Sequence, residues 1–296
     1  MSTTVSRIRL AEFLVVLGGS AALVLIGTAT LGVSPLAIGP LYMATPLLAG
    51  VIVCRRHGIT LAAVGLRRGR LRWSLVGALC WPPIVLLIAA ISLVLPGVRF
   101  DSTMLTDTVG VPATPGWLFV GLLALVGAMI LAGVTINAVI AFGEEFGWRG
   151  YLLWELAPLG FWRASITIGT IWGLWHVPLV VVGLNYPSFP IVGAILFTVV
   201  CIAISPLFTY LVVRGRSVLP ATVLHGVINA TGLVALAGTS DPVVRELIAS
   251  EGGAVGLFVF AVGWVLMWTV GVPSLSRTYE PATDHRSDGH RPLVVE

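Results

Sequence analysis

The sequence predicts an all-α polytopic membrane protein of about eight transmembrane helices, with both termini in the cytoplasm. Three observations carry that expectation. Apolar residues make up 57% of the 296-residue chain and charged residues only 10%, with a mean hydropathy of +1.00; soluble domains carry about 25% charged residues. Apolar runs near the roughly 20 residues that a bilayer needs recur along the chain. The arginines, finally, fall on one side. An eight-span reading puts 15 of the 17 cationic residues, all of them Arg, on the side of the N-terminus and leaves only Arg99 and Arg245 opposite. An odd number of spans would scramble that asymmetry, which is what the positive-inside rule expects of cytoplasmic loops.

The spans in order are 10–31, 36–54, 74–96, 117–156, 165–184, 190–213, 219–237 and 254–272. The first exceeds the roughly 7–15 apolar residues of a signal-peptide core and reads as a retained helix. Pro82, Pro83, Pro178 and Pro206 fall inside spans and predict kinks, whereas Pro220 suits the first turn of a helix. The run 117–156 is too long for one upright helix, so it must tilt, break or lie partly along the interface, with Gly143, Gly147 and Gly150 as candidate breakpoints. The loop 55–72 alternates basic and apolar residues and suits an anionic inner leaflet. Residues 97–116 read as a plain solvated loop. A single helical domain thus covers 1–272, with its chemistry at about 137–235. Residues 273–296, rich in Pro, Ser, Asp and Arg, read as a disordered cytoplasmic tail in which His285 and His290 are solvated. The localisation that follows is a cell membrane, multi-pass, with the lipid bilayer as partner. A net charge of +4 with no basic stripe excludes nucleic acid. Cys54, Cys80 and Cys201 have neither metal-knuckle nor redox spacing and read as small buried hydrophobes.

Three polar clusters interrupt the apolar pattern. Glu144, Glu145 and Arg149 lie within the long fourth run, where charges are costly and face a partner or a wet cavity. Glu145 and Arg149 stand at i, i+4 and can pair, while Glu144 points about 100° away. An unpaired carboxylate in an apolar wall can serve as a base. His176 follows Trp172 by four residues and precedes Pro178, whose missing N–H frees backbone groups nearby. His225 and Asn229 share one helical face at i, i+4. Counted from helix ends, Glu144, His176, His225 and Asn229 all reach the inner half of the membrane and can meet in one site, with a cavity facing the cytoplasm.

These motifs, in this order on three membrane segments, resemble the CPBP family of CAAX-processing and bacteriocin-processing intramembrane endopeptidases, also called Abi proteins. The resemblance covers about 137–235 and extends through Gly150, Tyr151 and Leu152. It departs at Trp172, where the family more often has Phe; the ring is retained, and the expectation is that the chemistry is unaffected. The resemblance implies peptide-bond hydrolysis of a peptide or membrane-protein substrate. Glu144 and His176 would activate a water, His225 and Asn229 would stabilise the oxyanion, and Glu145 with Arg149 would support them. Cofactor use is either none or one zinc held by Glu144, His176 and His225; the reading leans to metal-free. The rival readings are a transporter or channel, which predicts inverted repeats that the sequence does not show, and a non-catalytic immunity or scaffold protein using the same pocket.

Overall fold

A computed structural model describes residues 4–34 and 37–279, and its architecture is all-α. The helices are α1 (Arg7–Leu31), α2 (Gly39–Met43), α3 (Thr45–Arg56), α4 (Leu71–Leu79) and α5 (Trp81–Ser92). They are followed by α6 (Pro115–Ala132), α7 (Ala138–Glu145), α8 (Leu153–Leu156), α9 (Phe161–Val181), α10 (Pro190–Gly215), α11 (Leu219–Ala230) and α12 (Ala254–Val270). Among the described residues, six helical stretches are long and apolar enough to cross a membrane. Of the eight expected spans, the other two are the broken pair α2–α3 and the 17-residue α12.

Local sequence explains the breaks. Pro46 and Pro82 sit in the first turns of α3 and α5, where a missing N–H is harmless, so a new helix starts at each. Prolines 115, 190 and 220 open α6, α10 and α11 in the same way. Pro178 and Pro206 lie within α9 and α10, which continue through them.

The long fourth run does not break at its glycines. Helix continues from Pro115 to Leu159, and α6, α7 and α8 are joined by π-helical turns at Gly133–Asn137 and Phe146–Leu152. Such wide turns are rare and concentrate at functional sites. Here they flank α7, which carries Glu144 and Glu145, and the second of them carries Arg149. Glycine instead marks close helix approach. A Cβ on Gly147 would stand 2.5 Å from the Pro46 carbonyl oxygen of α3. A Cβ on Gly226 of α11 would meet the Gly133 carbonyl oxygen and stand 2.7 Å from the Ala138 nitrogen. Backbones can approach this closely only where a side chain is absent, and these two contacts press α3 and α11 against the charged stretch.

The ends of the bundle differ in kind. At one end Glu155, fully buried, gathers the Ser6 N–H at 2.7 Å, Arg9 Nε at 2.6 Å and Arg277 at 3.1 Å. Arg277 also donates to the Trp154 and Thr4 carbonyls, and Arg67 donates to the Arg216 and Thr278 carbonyls. Packed chain therefore continues past the expected domain end at 272: Arg277 and Tyr279 are buried. The rest of the expected tail, with His285 and His290, lies outside the described residues. At the opposite end Arg99 and Phe100 pair antiparallel with Gly238 and Ala237, and Met104–Val109 forms a further π-helical turn. Residues 97–116 are thus more ordered than a solvated loop. A two-residue ladder leaves no periodicity for a sequence reading to detect. Ser188 bonds to Glu246 and Tyr186 to the Gly252 carbonyl at this same end.

Candidate active site

α7 and the π-helical turn after it present Glu144, Glu145, Trp148 and Arg149; α9 presents Trp172 and His176; α11 presents His225 and Asn229. All but Asn229 are buried. The structure brings the predicted residues together from three helices, in two linked groups.

The first group is centred on Glu145. Its Oε1 accepts from Arg149 Nη1 at 3.0 Å, the i, i+4 pair, and contacts His225 Nδ1 at 2.7 Å. An ionised carboxylate accepts only, so the His225 Nδ1 carries the proton. The Arg149 guanidinium lies 4.3 Å from the ring centroids of both Trp172 and Phe208. Its Nε and Nη2 are buried without hydrogen-bond partners, as is Glu145 Oε2. Arg149 is therefore held by one carboxylate and two aromatic faces, an arrangement worth about 2 kcal/mol or more per desolvated cation–π contact.

The second group is centred on Glu144. Its Oε2 accepts from the Trp172 indole at 2.6 Å and from the Trp148 indole at 3.3 Å. His176 Nδ1 lies 2.9 Å from the Trp172 carbonyl oxygen. A carbonyl only accepts, so Nδ1 bears the hydrogen and the neutral ring keeps its lone pair on Nε2. Trp172 joins the groups: its ring centroid is 5.7 Å from that of His176 and 5.6 Å from that of His225.

Glu144, His176, His225 and Asn229 line one cavity of about 750 Å³. Its other walls include Met43, Leu184, Tyr186, Pro187, Arg245, Glu246, Glu251 and Phe260. The cavity therefore runs toward the end that holds the Ser188–Glu246 and Tyr186–Gly252 bonds. The expected cavity faced the opposite, arginine-rich end. Depth along a helix places a residue between the two ends but does not say which end is open, and that is why the expectation failed. Glu246, at the far end, is held by Ser188 Oγ at 2.6 Å and by Arg245 at 3.2 Å. Burial pushes the Glu251 carboxyl above its ordinary value.

Sequence reasoning did not assign Trp148 a role and took Trp172 for its ring alone. The i, i+4 spacing of Glu144 and Trp148 was the available signal for the first; nothing in sequence pairs Glu144 with Trp172, 28 residues away. Among the described residues, no three His, Cys, Asp or Glu side chains are grouped so as to hold a metal ion. Glu144, His176 and His225 are suitable donors by type, and the bonds above leave Glu144 Oε1 and the Nε2 of each histidine outside them.

Fold and centre together define a polytopic helical membrane protein built around a buried carboxylate–histidine pair of clusters. Residues 122–231 match the family model described as type II CAAX prenyl endopeptidase Rce1-like. A CAAX prenyl protease 2 of Methanococcus maripaludis is 31% identical over 109 residues, which span 35% of this chain and 40% of that protein. Both matches fall on the core that carries these residues, and they support its similarity to the CPBP family of intramembrane proteases.

Proposed function

We propose that the protein is an intramembrane endopeptidase that hydrolyses peptide bonds of a membrane-associated or peptide substrate. The observation that carries this is the convergence of Glu144, His176, His225 and Asn229 on one cavity within the segment that matches the family. Glu144 accepts indole N–H bonds only, without a cation on its own carboxylate, and so keeps a basic oxygen for water. His176 offers Nε2 as the second acceptor for the water's proton. His225 as imidazolium donates Nε2–H to the developing oxyanion, and Asn229 supplies the second donor. With His225 protonated, Glu144, Glu145, Arg149 and His225 sum to zero charge, which limits the cost of burying them. Transport is less well supported, because the polar groups gather at one point instead of spreading along a path.

The reaction we propose uses no metal. The zinc alternative needs Glu144, His176 and His225 as ligands around one ion, and among the described residues no such three-residue grouping is found. Purified enzyme treated with chelator and dialysed should keep its turnover, and elemental analysis should find far less than one zinc per chain. Stoichiometric zinc, lost and regained together with activity, would overturn this.

We also propose eight spans with both termini cytoplasmic, and hence a site reached from the non-cytoplasmic side. The cavity ends among loops carrying Arg245 alone of the arginines. In a chain whose native cysteines are replaced, Asn185→Cys, on the exposed cavity wall, should react with an impermeant maleimide in right-side-out vesicles. Arg68→Cys, on the exposed basic loop, should react only in inside-out vesicles. Labelling of both from the same side would refute the span count, and the reverse pattern would refute the orientation.

A further inference from the structure

We propose that Trp172 is a positioning residue for Glu144: its indole N–H takes one carboxylate oxygen and so fixes the other as the oxygen that works on water. This rests on the reading of Glu144 as the general base.

The geometry is asymmetric in a telling way. Both indole donors reach Oε2 of Glu144, Trp172 at 2.6 Å and Trp148 at 3.3 Å, and neither touches Oε1. The terminal torsion of a Glu is broad and two-fold, so a carboxylate without a fixed partner presents either oxygen over a range of angles. A short bond to one oxygen removes that freedom, and a charge-assisted bond in a buried site is among the stronger ones available.

Trp172 is itself well braced for the task. It is 6% exposed, and its ring packs edge-on against His176, His225 and Phe208 while the Arg149 guanidinium lies over it. Its carbonyl oxygen receives the Nδ1–H of His176. One residue thus orients the carboxylate through its side chain and the imidazole through its backbone. A Phe at this position would keep the ring contacts and the stack on Arg149 but would donate nothing to Glu144. Trp148, one turn along the same helix as Glu144, is too distant at 3.3 Å to replace the bond in full.

The test uses the full-length protein in detergent with Trp172→Phe and with 3-benzothienylalanine at position 172, which replaces the indole N–H by sulfur at constant shape. A lost hydrogen bond to a charged group should lower kcat roughly 10–100-fold in both, with KM unchanged and, since Trp148 still donates to Glu144, a thermal midpoint lower by a few degrees at most. Full activity of the benzothienylalanine protein would overturn the proposal. So would a loss that only tracks a fall in thermal midpoint, since that is the mark of packing. A readout without catalysis separates this from the protease reading: the ¹⁵N-indole resonance assigned to Trp172 by its absence in Trp172→Phe. It should move when Glu144→Gln weakens the acceptor, and an unmoved resonance would refute the bond. If the resonance moves but wild-type protein cleaves no peptide, the protease reading fails and the Trp172–Glu144 bond stands.

Discussion

Glu144→Gln should abolish peptide hydrolysis and leave the folded protein in place. Glu144 is 1% exposed but has no cationic partner on its carboxylate; its bonds come from two neutral indole N–H groups. A glutamine carbonyl can accept from the same donors with similar shape. No ion pair is broken, so the thermal midpoint should shift by a few degrees at most. The amide oxygen, however, cannot take a proton from water at neutral pH. General base catalysis is typically worth about 10²–10⁴-fold, and turnover should fall by at least that factor. Purified variant and wild type, compared in thermal unfolding and in turnover of one peptide, decide the matter. A variant that retains activity would remove Glu144 from the mechanism. One that unfolds during purification would show that the carboxylate holds the helices together, although its direct hydrogen-bond donors are neutral.

The fold class and the membership of the site were legible in the sequence for different reasons. Helices in a bilayer must satisfy their own backbone and must be apolar for some 20 residues, so composition alone reveals them. Charges in such helices are costly enough to stand out, which is how Glu144, Glu145, Arg149, His176 and His225 could be singled out. Partner choice was legible only where it was local. Helical spacing paired Glu145 with Arg149, but the bond from Trp172 to Glu144 and that from His225 to Glu145 join residues 28 and 80 positions apart. The Glu155 cluster escaped notice for the same reason: Arg9 and Arg277 come from the two extremes of the described chain. The glycines of the fourth run illustrate an ambiguity. Gly147 suggested a break, yet the helix continues there because the absent side chain admits Pro46 of α3. The open end of the cavity depends on how loops 184–187 and 245–252 leave the bundle, and no pattern within a helix encodes that.

Glu145→Gln should behave in the opposite manner to Glu144→Gln, losing stability along with activity. Oε1 of Glu145 is shared by Arg149 and His225, and both Glu145 and Arg149 are fully buried. Arg149 already has Nε and Nη2 without hydrogen-bond partners, so Glu145 is its anionic anchor apart from the faces of Trp172 and Phe208. Neutralising one side of a buried pair strands the other charge and typically costs about 3–5 kcal/mol. The thermal midpoint should therefore drop on the order of 10 °C. His225 would also lose the acceptor that fixes its Nδ1–H, so turnover in whatever folded protein remains should fall as well. The control is the double variant Glu145→Gln with Arg149→Met, which removes the stranded cation and keeps much of its length. Because the two residues act through one bond, the double variant should be less destabilised than the sum of the single changes, and it should recover stability without recovering turnover. A Glu145→Gln protein with the wild-type midpoint, or a double variant whose losses simply add, would show that the Glu145–Arg149 pair is not what secures α7 against its neighbours. The roles given to the two adjacent carboxylates would then have to be exchanged.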